Sequence, residues 1–426
     1  MERSDPRYQA YVEILKEELI PAMGCTEPIA LAYAAAKARE VLGVLPESVQ
    51  LQVSGSIIKN VKSVIVPNTG HLKGMEAAAA AGIIAGSAEK ELEVIAEVST
   101  DKQAAIRDYL QTVPISIEHI EQGHVFDIIV TERCGQDYAR VRIADFHTNI
   151  CLIEKDGKVL YEKPLADEAA QESSRADRSL LNMKDIWEFA ETADLRDVAD
   201  LLERQIRYNN AIAEEGLLGD YGANIGRVLL STYGNDVSNR AKAKAAAGSD
   251  ARMNGCELPV IINSGSGNQG ITCSVPLIEY AKELHSGKEK LYRALIISNL
   301  VAIHEKTGIG TLSAYCGAVS AGAGAGAGIV YLCGDGYEAA IHTVVNALAI
   351  VSGIVCDGAK ASCAAKIASS VDAALLGYNM YKCNQEFKGG DGIVMKDIET
   401  TIKGIGRLGK DGMKETNEEI IRLMIE

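Results

Sequence analysis

Residues 312–333, which include AYCGAVSAGAGAGAG, constrain this chain more than any other part. The stretch is mainly Gly, Ala and Ser. It lacks the large apolar groups of a lipid-facing span of about 20 residues. Small side chains let backbones approach closely, so the expectation is a helix buried in a close-packed protein. Its surroundings carry the same signature. From about residue 167 the sequence is mostly helical, with an amphipathic segment at 195–217. Further helices are expected at 291–304, 313–330, 338–355 and 359–376, most of them rich in Ala and Gly. With a single Trp, Trp187, and four Phe, the core must be built from Ala, Ile, Leu and Val.

The first part of the chain reads differently. Tyr11, Val12, Leu15 and Leu19 share one face of an opening helix. After PAMGCTEP at 21–28 a second helix begins, with Thr26 as N-cap and Pro28 in a first turn that has no internal hydrogen bond to lose. Strands are expected at 48–58 and 63–66, and an Ala-rich helix at 74–85. Residues 92–163 are the β-rich part, with strands at 92–98, 125–131 and 138–145. Strands at 149–153 and 159–162 bracket Asp156-Gly157, a hairpin turn signal. The expected class is α+β. A smaller α/β unit with a mixed sheet spans 1–166, and a large Ala/Gly-rich helical unit spans 167–426. The opening helices with PAMGCTEP are expected to pack on the helical unit.

The formal net charge of -15 argues against a nucleic-acid partner, because a phosphate backbone demands an excess of Lys and Arg. MERSDPRYQA at the start has no apolar core of a secretory signal, and no membrane partner is expected. Ten cysteines without such a signal suggest a reducing, cytoplasmic setting. There they serve as structural thiols, metal ligands or reactive groups rather than disulfides. The Gly/Ala helix faces are compatible with a homodimer.

Four cysteines stand in distinctive strings. Cys25 lies just before a helix, where free N–H groups and the helix dipole favour an anion and lower a thiol pKa. The alternative for Cys25 is a buried small hydrophobe beside a cap. Cys316 lies in AYCG, and Cys356 and Cys363 lie in CDGAKASC. Iron–sulfur clusters are held by Cys thiolates, and three protein ligands would leave one iron open. On one continuous helix Cys356 and Cys363 would be roughly 10 Å apart, too far to suit one cluster, so a break near Gly358 and a helix from about residue 359 are expected. The plain alternative for these three is again buried free cysteine.

NSGSGNQG at 263–270 follows a strand-like run at 258–262 and contains G-x-G-x-x-G. Pro276 cuts into the helix that follows, and no second strand ending in an acid appears at the expected distance. A backbone nest with Asn263, Ser264 and Asn268 as donors to a small anionic ligand fits better than a dinucleotide; a Gly/Ser turn is the simpler reading. His304-Glu305-Lys306 starts like a zinc HExxH helix, but Gly308 ends that motif. Lys306 remains a candidate acid/base or carboxylate anchor, against a solvated helix-end lysine. Asn60 and Asn68 are polar groups at strand ends, either pocket donors or turn residues.

With these residues in view, the sequence resembles the L-cysteine desulfidase family, which is related to the α chain of iron–sulfur L-serine dehydratases. The resemblance covers essentially the whole chain. It rests on PAMGCTEP, on SGSIIKNVKSVIVPNTG at 54–70, on NSGSGNQG, on AYCG and on CDGAKASC. It implies a lyase of amino-acid catabolism with a 4Fe–4S cluster and no pyridoxal phosphate, converting L-cysteine to pyruvate, ammonia and hydrogen sulfide. By motif match Cys316, Cys356 and Cys363 are the implied cluster ligands and Cys25 an active-site thiol. The last two cluster cysteines are closer together here than in the dehydratases, which leaves Cys25 as the alternative to Cys363. The chain ends Met424-Ile425-Glu426, without the terminal cysteine of some dehydratases.

On this reading the substrate carboxylate sits at the helix start formed by Thr26 and Glu27 and in the 263–268 nest. Cys25 as thiolate is the first choice of base and Lys306 the second. A neighbouring alternative is L-serine dehydratase. A third is a metal-binding sensor or scaffold without turnover, and a fourth a nucleotide-binding oxidoreductase resting on GSGNQG.

Overall fold

The structure, a computed structural model, describes residues 1–121, 123–165, 175–310 and 313–425. The expected unit boundary at 166/167, the first residue of the 312–333 stretch and Glu426 lie outside them. The class is α+β, with helices α1 (Pro6–Glu18), α2 (Thr26–Leu42), α3 (Gly55–Val61), α4 (Gly74–Ala85) and α5 (Thr100–Thr112) in the first part. Strands β1 (Pro21–Met23), β2 (Ser48–Ser54), β3 (Ile115–Ile120), β4 (Asp127–Cys134), β5 (Asp137–Ala144), β6 (Ile150–Lys155) and β7 (Lys158–Glu162) accompany them. The second part holds α6 (Met183–Thr192), α7 (Ala199–Leu218), α8 (Ile225–Tyr233), α9 (Val237–Met253), strand β8 (Pro259–Ile261) and α10 (Gly267–Glu283). It continues with α11 (Lys288–Ile309), α12 (Gly317–Cys333), α13 (Tyr337–Val351), α14 (Ser362–Lys382), α15 (Ile398–Arg407) and α16 (Lys414–Ile425).

The larger sheet runs β3-β2-β4-β5-β6-β7, with β2 and β3 parallel and the other pairs antiparallel. It is the mixed sheet expected. Asp156 and Gly157 both take positive φ, 50° and 79°, as a tight hairpin turn requires. Three expectations need correction. Residues 63–66 make a single bridge, Ile65 to Lys73, in a turn rather than a strand. The apolar run at 92–98 is the end of a 3-10 turn (Ala88–Glu93), because burying Val94 and Ile95 against α2 and α4 does not need a ladder. The strand expected over 48–58 stops at Ser54, and α3 takes over.

The sheet with α2, α4 and α5 encloses one apolar core, in which Leu51, Ile57, Ile128 and Val141 are fully buried. A second and larger core lies among the helices, and α1 belongs to it: Phe189 meets Tyr8 and Tyr11 edge-on at 5.1 and 5.3 Å. At its centre is α12, as buried as its composition implies. A Cβ on Gly324 would stand 2.4 Å from the Ser298 carbonyl of α11, and one on Gly322 2.8 Å from Ser370 of α14. Those distances explain why α12 is written in glycine. Among the described residues no helix is long and apolar enough to cross a membrane.

Candidate active site at the junction of the two cores

One short ribbon ties the cores together. β1 pairs antiparallel with β8, Pro21 opposite Ile261 and Met23 opposite Pro259. Periodicity cannot reveal a three-residue strand, yet this one brings PAMGCTEP beside NSGSGNQG. Asn263 then bridges to Ser266, the loop turns back, and α10 starts against α2, where Thr26 Oγ1 donates to the Gly265 carbonyl at 3.3 Å.

Cys25 is the N-cap residue of α2, one position before the expected Thr26, and makes no side-chain cap bond. Its thiol donates to Glu27 Oε2 at 3.3 Å. The Glu27 carboxylate also accepts from Thr26 Oγ1 at 3.1 Å and from Asn60 Nδ2 at 3.2 Å. Burial, reinforced by Glu27 and opposed by Arg252, pushes the Cys25 thiol well above its ordinary range. The lowering expected from the helix start is therefore reversed, because the neighbouring carboxylate and loss of water outweigh the dipole.

The three downstream cysteines converge by backbone pairing. Cys316 N donates to the Ile354 carbonyl at 3.1 Å and Cys356 N to the Ala314 carbonyl at 2.6 Å, around a Tyr315–Val355 bridge. The chain then turns at Gly358 (φ 94°), where a Cβ would stand 2.0 Å from the Lys59 carbonyl. α14 begins at Ser362, three residues later than expected, after the break the spacing required. Cys363 packs against the small cluster of Cys25, Val64 and Met253. Burial and then Cys356 raise Cys316 to about 12, with Cys363 adding to it; burial raises Cys363 in turn, with Cys356 adding. Cys316 and Cys363 thus both feel Cys356, and Cys25 feels Cys363.

Lysines ring this group. Lys59 is 1 % exposed and donates to Asn417 Oδ1 of α16 at 2.6 Å. Burial lowers its pKa against the pull of Cys356 and Glu27. Lys306 donates to the Gly310 carbonyl at 2.6 Å, and burial brings it down to about 8, opposed by Cys356 and Cys316. Lys366 bonds the Val355 carbonyl at 2.9 Å and pairs with Asp357.

Other expected site residues each have protein partners. The Asn68 amide braces the carbonyls of Ile95 and Ala96 at 2.8 and 3.3 Å. Asn263 turns its amide inward to Asn299, which is paired with Gln205, and Ser264 Oγ bonds Asn263 Oδ1 at 2.9 Å. Asn268 Oδ1 accepts from Arg252 at 3.1 Å.

Residues not anticipated from sequence include Lys59, Arg252, His147 and Gln269. Arg252 Nε, His147 Nε2 and Gln269 Oε1 are buried with no partner among the described residues. His147, from the β5–β6 loop, reaches over Gly265 and packs edge-on against Phe126. Burial lowers its pKa, with Arg252 adding to that and Glu27 opposing. Only burial distinguishes these residues from surface polar ones. Two open clefts, about 350 Å³ at 148–163 and about 600 Å³ at 392–412, are not lined by the four cysteines.

Cysteine thiols are the donors that iron–sulfur clusters take, and Cys316, Cys356 and Cys363 supply three of them. Among the described residues no group of three or more His, Cys, Asp or Glu is arranged to hold one metal ion. All ten cysteines are free, and Lys59, Lys306 and Lys366 each interact electrostatically with thiols among Cys316, Cys356 and Cys363.

The comparisons agree with this picture. The serine dehydratase alpha chain family matches residues 89–422. A UPF0597 protein of Desulfitobacterium hafniense is 62% identical over 425 residues, covering 100% of this chain and 98% of its own. UPF0597 proteins of Lachnoclostridium phytofermentans and Treponema denticola are 52% and 47% identical over 98% and 99% of this chain, and 100% and 98% of theirs. The chain therefore belongs to the serine dehydratase alpha chain family, within its UPF0597 relatives.

Proposed function

We propose that this chain is a pyridoxal-phosphate-independent lyase that eliminates sulfide from L-cysteine, yielding pyruvate, ammonia and hydrogen sulfide. The observation that carries this reading is the backbone pairing that sets Cys316 beside Cys356, with Cys363 packed on Cys25 and buried Lys59 nearby, in a family of serine dehydratase chains. Cys316, Cys356 and Cys363 would hold a 4Fe–4S cluster, which when bound supplies a Lewis-acid iron for the leaving group. The division into a unit of 1–166 and a unit of 167–426, and a cytoplasmic location, belong to the same proposal. So do substrate contacts from Thr26, Asn60, Asn68, Asn263, Ser264 and Asn268, and a homodimer.

The chain's own residues divide the proton work. A base near the reacting carbon works best with a pKa near ambient pH. Lys306, brought down to about 8, meets that condition and takes the Cα proton at Nζ. Cys25, kept protonated by burial and Glu27, holds a proton at Sγ rather than removing one. Loss of the Cα proton and of the Cβ–S bond leaves aminoacrylate, and its imine form takes up one water to give pyruvate and ammonia.

The family match favours L-serine as a second substrate reading, with water lost instead of sulfide. The deciding experiment measures iron and acid-labile sulfide in anaerobic protein, then sulfide release from L-cysteine beside pyruvate formation from L-serine. Iron with sulfide release supports the proposal, and iron with turnover of serine alone moves the assignment to dehydratase. Iron-free protein that turns over either substrate would overturn the cluster.

A further inference from the structure

Resting on the elimination reading above, we propose that Arg252 takes the substrate's α-carboxylate and Gln269 its α-ammonium. The site would then select α-amino acids over amines and hydroxy acids that carry the same side chain.

Arg252 ends α9 and is 2 % exposed. One guanidinium nitrogen donates to Asn268 Oδ1 at 3.1 Å, while Nε has no acceptor and no ion pair to a carboxylate is found for the side chain among the described residues. A buried charge is ordinarily paired, so this one is short of an anion. A planar guanidinium fork matches a carboxylate in two-point fashion.

The surroundings keep the place clear. Arg252 lies across the start of α10, where a Cβ on Gly267 would stand 2.2 Å from Nε and 2.7 Å from Cζ. Any residue other than glycine would displace the guanidinium. The free N–H groups at that helix start favour an anion in the same spot. Arg252 also acts electrostatically on Cys25 and on His147, so the anion it lacks belongs beside the active-site thiol.

Gln269 completes the pair. It is 6 % exposed, its Oε1 has no donor, and its amide lies 2.6–2.8 Å from where a Cβ on Gly317 would stand, next to Cys316. Glu27 is a poor alternative acceptor, since its oxygens already serve Cys25, Thr26 and Asn60. A cation near Cys25 and an acceptor near Cys316 suit the two charges of one zwitterion.

The test uses anaerobically prepared full-length protein and the variants Arg252→Gln, Arg252→Lys and Gln269→Leu. Arg252→Gln should raise KM for L-cysteine about 10- to 100-fold, the worth of a hydrogen bond to a charged group. It should leave the visible absorbance of the cluster unchanged and abolish the preference in binding for L-cysteine over cysteamine, read from inhibition by cysteamine. Arg252→Lys should fall between, and Gln269→Leu should erase the preference over 3-mercaptolactate. Calorimetric titration with L-alanine, which has the headgroup and no leaving group, should show binding to the parent protein and its loss in Arg252→Gln. Unchanged KM and unchanged L-alanine binding would overturn the assignment. So would loss of the cluster in both Arg252 variants, which would make the arginine a partner of the cluster instead. A parent protein that binds L-alanine through Arg252 but turns over no amino acid refutes the elimination reading alone.

Discussion

Glu27 is one carboxylate serving three donors, and its work sets the character of Cys25. Burial, with the carboxylate 3.3 Å from Sγ adding to it, keeps the proton on the thiol, and the proposed base is therefore Lys306. The pH dependence follows. As the proposed base Lys306 would act only when neutral; below a pKa of about 8 it is protonated, so kcat/KM should fall about tenfold per unit well under that value and level off above it. Lys306→Gln should lower kcat by about 10²-fold or more with the cluster absorbance intact. An inflection above 9 that survives in Lys306→Gln would return the basic role to Cys25. Cys25→Ser should retain the cluster while losing most turnover; disappearance of the absorbance would make Cys25 a ligand. Cys316→Ala should remove both together, and a colourless but active variant would contradict the three-thiol seat.

Among the elements, α12 carries the tightest constraint. Gly324→Ala places a methyl 2.4 Å from a backbone carbonyl, so it should destabilise by about 1–3 kcal/mol or more and lower Tm. Gly353→Ala, where a methyl would meet nothing within 4 Å, should leave Tm nearly unchanged. The helix starts are set more simply. Asp236 accepts from the N–H groups of Ser238 and Asn239, and Asp236→Ala should cost about 1 kcal/mol in denaturant unfolding. Element by element, legibility followed length and pattern. The Ala-rich 74–85 helix, the Asp156-Gly157 hairpin and the break before Cys363 were readable, since each has a local cause. The helix at 100–112 and strand β3 were not, because both are polar and mostly exposed. The run at 92–98 misled because tertiary burial, not pairing, uses its apolar groups. At the site the cysteines and Lys306 stood out in their strings. Arg252, in an Ala-rich helix, and His147, in a loop, acquire meaning only through burial without partners.

At the scale of the whole molecule, the candidate site draws on α2, α3 and a sheet loop from one core, and on α9, α10, α11, α12 and α14 from the other. A cluster held by Cys316, Cys356 and Cys363 would bind only the folded arrangement, so its binding energy adds to stability. Cluster-free protein should unfold at lower temperature in an anaerobic thermal scan than loaded protein; equal midpoints would argue that the thiols do not hold it. The β1–β8 ribbon has one more implication, and it concerns birth rather than catalysis. As the ribosome releases the polypeptide, residues 21–23 must wait for partners almost 240 positions later, and so distant a closure is slow to form. The proposed site therefore cannot assemble before residue 261 has emerged, and Cys363 follows about 100 residues later still, so the proposed cluster would be delivered to a largely completed chain.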